Sequence, residues 1–225
     1  MQGVCLIFAG RRGLDEASAR WMSARIPQVS QKIKRAQSLI DEVLGDQSSV
    51  DLLSYLLSSD QEFLGHPSLR VLMGAVVQVG LFERFIASRP RPEFMLGKTN
   101  GISALEVCAG KKSFDELVLK SDFLQPSSTA HSQPPLGEAS LVGLQLEEYG
   151  GFQWLRDSFE AVDFASKDLY SILAEIRENN FVGQLINIGP SIEFRKKEMA
   201  SMEFLEFTMM NSIELDPILS SFLSA

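Results

Sequence analysis

The chain of 225 residues has little cysteine: Cys5 and Cys108 sit in separate apolar contexts. Neither has metal-ligand spacing around it, so the expectation is two buried, reduced thiols. Positive charge is also scarce, with 21 Lys and Arg against 29 Asp and Glu and a net charge of −8. Nonspecific binding to nucleic acid or to an anionic membrane needs a basic footprint, and neither is expected as a partner. A continuous apolar run of about 18 residues is missing, which argues against a membrane span. Met1-Gln2-Gly3-Val4-Cys5 has no basic region ahead of an apolar stretch. That argues against a secretory signal and makes the cytoplasm the expected location. The 45% of apolar residues suffice for one filled core, and the reading is a single domain over 1–225.

What is present is a set of short apolar runs separated by helical patterns. Val4 to Ala9 is a run of strand length ending at Gly10, as expected for a strand covered on both faces of a parallel sheet. Asp15 to Leu44 carries Trp21, Ile26, Val29, Ile33, Ala36, Ile40 and Leu44 at helical spacing, and Pro27 divides the stretch into two helices. A short amphipathic helix is expected over Val50 to Leu57. A longer apolar one starts at His66-Pro67 and runs from Ser68 to about Ser88, with His66 as its cap and with Gly74 and Gly80 permitting close packing. Arg89-Pro90-Arg91-Pro92 stops it.

Phe94-Met95-Leu96 then meets Gly97-Lys98-Thr99-Asn100-Gly101 and a helical pattern through Ile102, Leu105, Val107 and Ala109. This is a strand, a sharp turn and a helix. At such an elbow the tip residue stands clear of the sheet beside helix N-terminal N–H groups, which is where a nucleophile is often held. The tip here is Thr99. Ser113 and Glu116 have the spacing of a capping box for another helix. Gln125 to Pro135 has loop composition, rich in Ser, Pro and Gln. Gln184 to Ile188, closed by Gly189-Pro190, is a third strand, and Met202 to Leu223 is read as core-covering helix or strand. Three strands separated by helices indicate an α/β fold with a small parallel sheet flanked by helices.

Gly97-Lys98-Thr99 also has the ending of a phosphate-binding loop. That motif needs a glycine five residues before Gly97, where Pro92 stands, and residues 94–96 are strand-like. The acidic pairs Asp15-Glu16, Asp41-Glu42, Asp115-Glu116 and Glu147-Glu148 fall at helix starts or on charged faces. Lys111-Lys112 and Arg195-Lys196-Lys197 are short basic clusters of the kind that solvate a surface or meet an acidic protein.

Several landmarks occur together in one order. They are Phe8-Ala9-Gly10-Arg11-Arg12-Gly13, Ile26-Pro27-Gln28-Val29, Ile40 to Gly45, Gly65-His66-Pro67-Ser68-Leu69, Gly97-Lys98-Thr99-Asn100-Gly101, Ser113 to Leu117, and Ile186-Asn187-Ile188-Gly189-Pro190. In that order the chain resembles the malonyl-CoA:acyl carrier protein transacylases and the acyltransferase domains of polyketide synthases, as a shortened and divergent member. The resemblance implies the large α/β subdomain of that fold without its small ferredoxin-like subdomain, a loop over 120–140 standing in place of that lid. It implies Thr99 where the family has the serine nucleophile, Lys98 where it has histidine, and Arg11 or Arg12 where it has the oxyanion glutamine. His131, followed by Ser132, is the counterpart of the catalytic histidine, and is otherwise a surface-loop residue. The arginine that pairs with the malonyl carboxylate has no counterpart, since no arginine lies between Arg91 and Arg156.

Gly10, Arg11, Gly97, Asn100 and Gly189 are then the candidate binding residues, with no metal and no cofactor. An acyl carrier protein, another biosynthetic protein or an acyl-CoA is the implied partner. Two functions remain in view: a catalytically degenerate binding or scaffold protein of fatty-acid or polyketide biosynthesis, and an acyltransferase or thioester hydrolase using Thr99 with His131 as base. In the second, loss of the lid favours hydrolysis over transfer.

Overall fold

The computed structural model describes residues 3–8, 16–45, 50–58, 66–89, 91–92, 94–98, 100–125, 139–146, 152–154, 182–189 and 204–207. Six strands among them form one sheet: β1 (Gly3–Phe8), β2 (Phe94–Lys98), β3 (Ala139–Leu146), β4 (Phe152–Trp154), β5 (Val182–Ile188) and β6 (Phe204–Phe207), in the order β4-β3-β2-β1-β5-β6. The three strands read from sequence are parallel neighbours. Cys5 to Phe8 of β1 stand beside Phe94 to Gly97 of β2, and Ile7 stands beside Asn187 of β5. β6 extends the parallel set beyond β5, and β3 adds an antiparallel edge beside β2.

Alternation along the strands explains the continuous apolar runs. Leu6, Phe8, Met95, Ile186 and Ile188 join the helices in one apolar cluster. Cys5, Ile7, Leu96 and Leu185 occupy the alternate positions and are buried too. Both faces of the central strands are therefore covered, as parallel sheets require.

The helices are α1 (Glu16–Arg25), α2 (Pro27–Leu44), α3 (Leu52–Leu57), α4 (Pro67–Ser88), α5 (Gly101–Cys108) and α6 (Phe114–Leu119). Pro27 opens α2, where its missing N–H is no loss. His66 caps α4, its Nδ1 accepting from the N–H of Leu69 at 3.4 Å. Arg20 on α1 donates through Nε to the carbonyl of Leu56 at 2.6 Å and through Nη2 to that of Ser58 at 3.2 Å, so a side chain satisfies the end of α3.

Helix α4 is long and apolar enough to cross a membrane by length and composition. Most of it is buried in the fold instead, with Leu72, Met73, Val76, Val77, Leu81 and Phe85 among its core residues. Its crossing with α2 depends on Gly80. A methyl group there would lie 2.6 Å from Cα of Val29, well inside contact distance. Gly74 plays no such part, because a methyl group there meets nothing within 4 Å. Of the two glycines read as packing positions, one is.

Candidate functional site

The chain passes from β1 toward β2 on one side, and from β5 toward β6 on the other. The order of connection thus reverses between β1 and β5. In open α/β sheets ligands settle in the crevice outside the carboxyl ends of the strands at such a switch point. Phe8 ends β1 there, Lys98 ends β2, and Ile188 with Gly189 ends β5. Ala139, the first residue of β3, pairs with Lys98 and lies at the same edge.

The elbow is built by close packing of α5 back onto β2. A methyl group on Gly97 would stand 2.7 Å from Cδ2 of Leu105 and 3.1 Å from Cα of Ile102. Only glycine allows the strand end and the helix to approach this closely. Strand β2 stops at Lys98 and α5 starts at Gly101, so the connection between them is two residues long. Asn100 is exposed and helical in backbone, and its side chain makes no capping hydrogen bond. Gly101 is buried. Thr99 itself lies outside the described residues, as do Gly10, Arg11 and His131.

Gly189 is buried at the end of β5, with the Met22 methyl of α1 3.8 Å from where its Cβ would be. The structure thus puts Gly97 and Gly189 on one edge of the sheet. Asn100 begins the helix at that edge. Of the expected loop over 120–140, residues 121–125 form turns, Ala139 and Ser140 begin β3, and 126–138 lie outside the described residues.

Two polar side chains escaped the sequence reading. Gln78 and Asn187 are the buried polar residues among those described, 3% and 0% exposed. Both lie at the end of β5, Asn187 on the strand and Gln78 reaching it from α4. The Nε2 amide of Gln78 donates to the carbonyl of Ile188 at 3.2 Å. Asn187 lies on the opposite face of the strand from Ile186 and Ile188, level with Ile7. A signal was available: Gln78 is the one polar side chain in the run from Val71 to Phe82, and Asn187 interrupts Leu185-Ile186-Asn187-Ile188.

Neither thiol can replace an elbow serine. Cys5 is buried inside β1, and burial pushes its pKa up to about 12. Cys108, at the far end of α5, is held well above the ordinary thiol range by burial and then by the charge of Glu83. Lys111 and Lys112 follow the C-terminus of α5, a helix-length away from the edge at which it begins. Among the described residues no three His, Cys, Asp or Glu side chains gather as metal ligands.

No protein-family model and no curated protein sequence matches the chain. Solved structures do. An acyl carrier protein S-malonyltransferase from Vibrio cholerae O1 biovar eltor aligns over 94% of this chain and 99% of its own, with a TM-score of 0.59 and 15% identity. A type II polyketide synthase malonyl-transacylase, solved with its acyl carrier protein, aligns over 95% and 99% with a TM-score of 0.61 and 13% identity. The malonyl CoA-acyl carrier protein transacylase of Coxiella burnetii shares 24% identity over 52% of this chain. The TM-score there is 0.45, and the chain spans 35% of that enzyme's length. Strand order, the glycine-packed elbow and the two likenesses that run over the whole chain agree: the chain has the acyltransferase fold of the malonyl transacylases.

Proposed function

We propose that this protein is a catalytically degenerate relative of the acyltransferases that works by binding, as a partner or scaffold in fatty-acid or polyketide biosynthesis in the cytoplasm. The partner in this reading is an acyl carrier protein seated on the carboxyl edge of the sheet. One observation carries it. The packing that makes the elbow is kept, since even a methyl group on Gly97 would collide with Leu105 and crowd Ile102, while the residues at its tip are Lys98 and Thr99 instead of histidine and serine.

Drift at a single catalytic position does not account for the rest. The loop glutamine has become Arg11 or Arg12, and the stretch between Arg91 and Arg156 holds no arginine for a malonyl carboxylate. A threonine hydroxyl has the chemistry of serine, but its methyl group restricts χ1 in a crowded turn. In this reading residues 120–140 take the place of the lid, which would leave the edge marked by Gly97 and Gly189 free to meet a protein face.

Incubation with malonyl-CoA and acetyl-CoA followed by intact-mass measurement tests this. The expected result is an unmodified chain; an acyl adduct on Thr99 overturns the reading.

A second reading keeps Thr99 as a nucleophile with His131 as base, and one observation favours it. His131 precedes Ala139 by eight residues, and Ala139 pairs with Lys98, the neighbour of Thr99. Eight residues span at most about 28 Å, so chain length permits the imidazole to return to the elbow. Hydrolysis of a thioester reporter that is lost in both Thr99→Ala and His131→Ala establishes this alternative.

A further inference from the structure

We propose that Gln78 is a positioning residue for the carboxyl edge, holding the end of β5 at Ile188 and Gly189 in the place where it borders the switch-point crevice. The proposal rests on the reading that this edge is the working face. Its starting point is an expense the fold does not need for stability. Burying an amide in an apolar helix costs free energy unless the amide is hydrogen-bonded, and an aliphatic side chain would fill the same space at no such cost.

Gln78 interrupts the run from Val71 to Phe82, lies 3% exposed, and reaches 110 residues along the chain to the carbonyl of Ile188. Ile188 is the last residue of β5, and Gly189 follows it. A carbonyl at a strand end is where the ladder ceases to supply donors, so an added donor fixes the direction in which the chain leaves the sheet.

The surroundings support the same role. Gly189 is buried against the Met22 methyl, so the turn is held from α1 as well as from α4. Asn187, one residue before Ile188, is the other fully enclosed polar side chain among the described residues, and stands level with Ile7 near the end of β1. The two buried polar residues among those described thus meet at one strand end, on both faces of the sheet, next to the crevice. A core under selection for stability alone has no reason to gather them there.

Helix α4 is a rigid support for this contact. Its crossing with α2 is locked at Gly80, within one turn of Gln78. The amide therefore transmits a fixed helix position to the loop edge.

The test uses the full chain labelled with 15N-glycine. Gln78→Met keeps length and bulk but removes the donor. The Gly189 amide resonance should then move and its hydrogen exchange quicken about tenfold, while Gly45, at the end of α2, stays in place. In Gln78→Glu a charged carboxylate cannot donate, whereas its protonated form can. The Gly189 resonance should therefore return toward its wild-type position on acidification, and this variant decides the matter if Gln78→Met does not fold.

Affinity for phosphopantetheinylated acyl carrier protein should fall about tenfold in Gln78→Met, equivalent to about 1.4 kcal/mol of binding. The proposal is overturned by an unmoved Gly189 resonance, by equal shifts at Gly45, by no return in acidified Gln78→Glu, or by unchanged affinity despite a moved turn. If the wild-type chain does not bind the carrier protein, the functional reading falls, and the glycine spectra alone decide whether Gln78 holds the turn.

Discussion

At the level of single residues, Gly97 concentrates the case for an elbow. Adding a methyl group brings it to 2.7 Å from a Leu105 methyl carbon and 3.1 Å from the Ile102 backbone. The leucine can rotate; the helix backbone cannot yield without lifting α5 from β2. Gly97→Ala is expected to destabilise by about 1–3 kcal/mol, read as a lower midpoint in chemical denaturation. A midpoint equal to wild type would show that the close approach is unnecessary.

The buried thiols supply a second prediction. Cys5 should resist a thiol reagent in the native protein and react on unfolding. Its folded pKa, raised from 9.0 to about 12, means that the neutral thiol is favoured in the fold. The corresponding stability is complete below pH about 9 and is lost as pH rises toward about 12. Alkaline titration of the melting temperature, compared between wild type and Cys5→Ala, measures this. A Cys5→Ala curve falling as steeply as wild type would contradict it.

The site was partly legible at this scale. Gly97 declared itself through its place between an apolar run and a helical pattern. Gln78 did not, because a lone glutamine in an apolar helix says nothing of a carbonyl 110 positions away.

Among the elements, the two glycines of α4 have opposite expectations. Gly80→Val drives a side chain into the Val29 backbone and should prevent α2 and α4 from packing, with loss of cooperative unfolding. Gly74→Ala meets open space in a helix and should stabilise by about 0.5–1 kcal/mol. Equal effects at the two positions would contradict the packing described.

Helix α6 has the capping box read from its sequence: Ser113 Oγ accepts from the N–H of Glu116 at 3.0 Å, and Glu116 Oε2 accepts from the N–H of Ser113 at 3.1 Å. The hydrogen bond from Lys120 and then that from the Ser113 backbone hold Glu116 at about 2, below its ordinary 4.5. A depressed carboxylate pKa contributes stability that is present above pH about 4.5 and is lost as pH falls toward about 2. The protection factors of amides 114–119, corrected for intrinsic exchange, should therefore fall over that interval, and Glu116→Gln should flatten the dependence. A pH response preserved in the glutamine variant would place its cause elsewhere.

Helix starts were legible because caps and prolines act locally. Strand β3 was not. Ala139 to Leu146 follows the Ser/Pro-rich stretch and carries Gly143 in its middle, which weakens a strand pattern, and its place is fixed by pairing with β2 instead.

For the whole molecule, the parallel trio was readable because strands covered on both faces have few polar positions, so each appears as a nearly continuous apolar run, broken in β5 by Asn187. The antiparallel edge and the place of β6 depend on long-range pairing that no local pattern encodes. The fold is shared with transacylases at 15% and 13% identity, so sequence similarity alone would not have placed it. What the chain does on that fold turns on whether its carboxyl edge recognises a carrier protein without reacting with it. Titration of phosphopantetheinylated acyl carrier protein into the wild-type chain and into Thr99→Ala measures this most directly. Saturable binding with affinities equal within about twofold is the predicted result; absence of saturable binding to the wild-type chain would contradict the account.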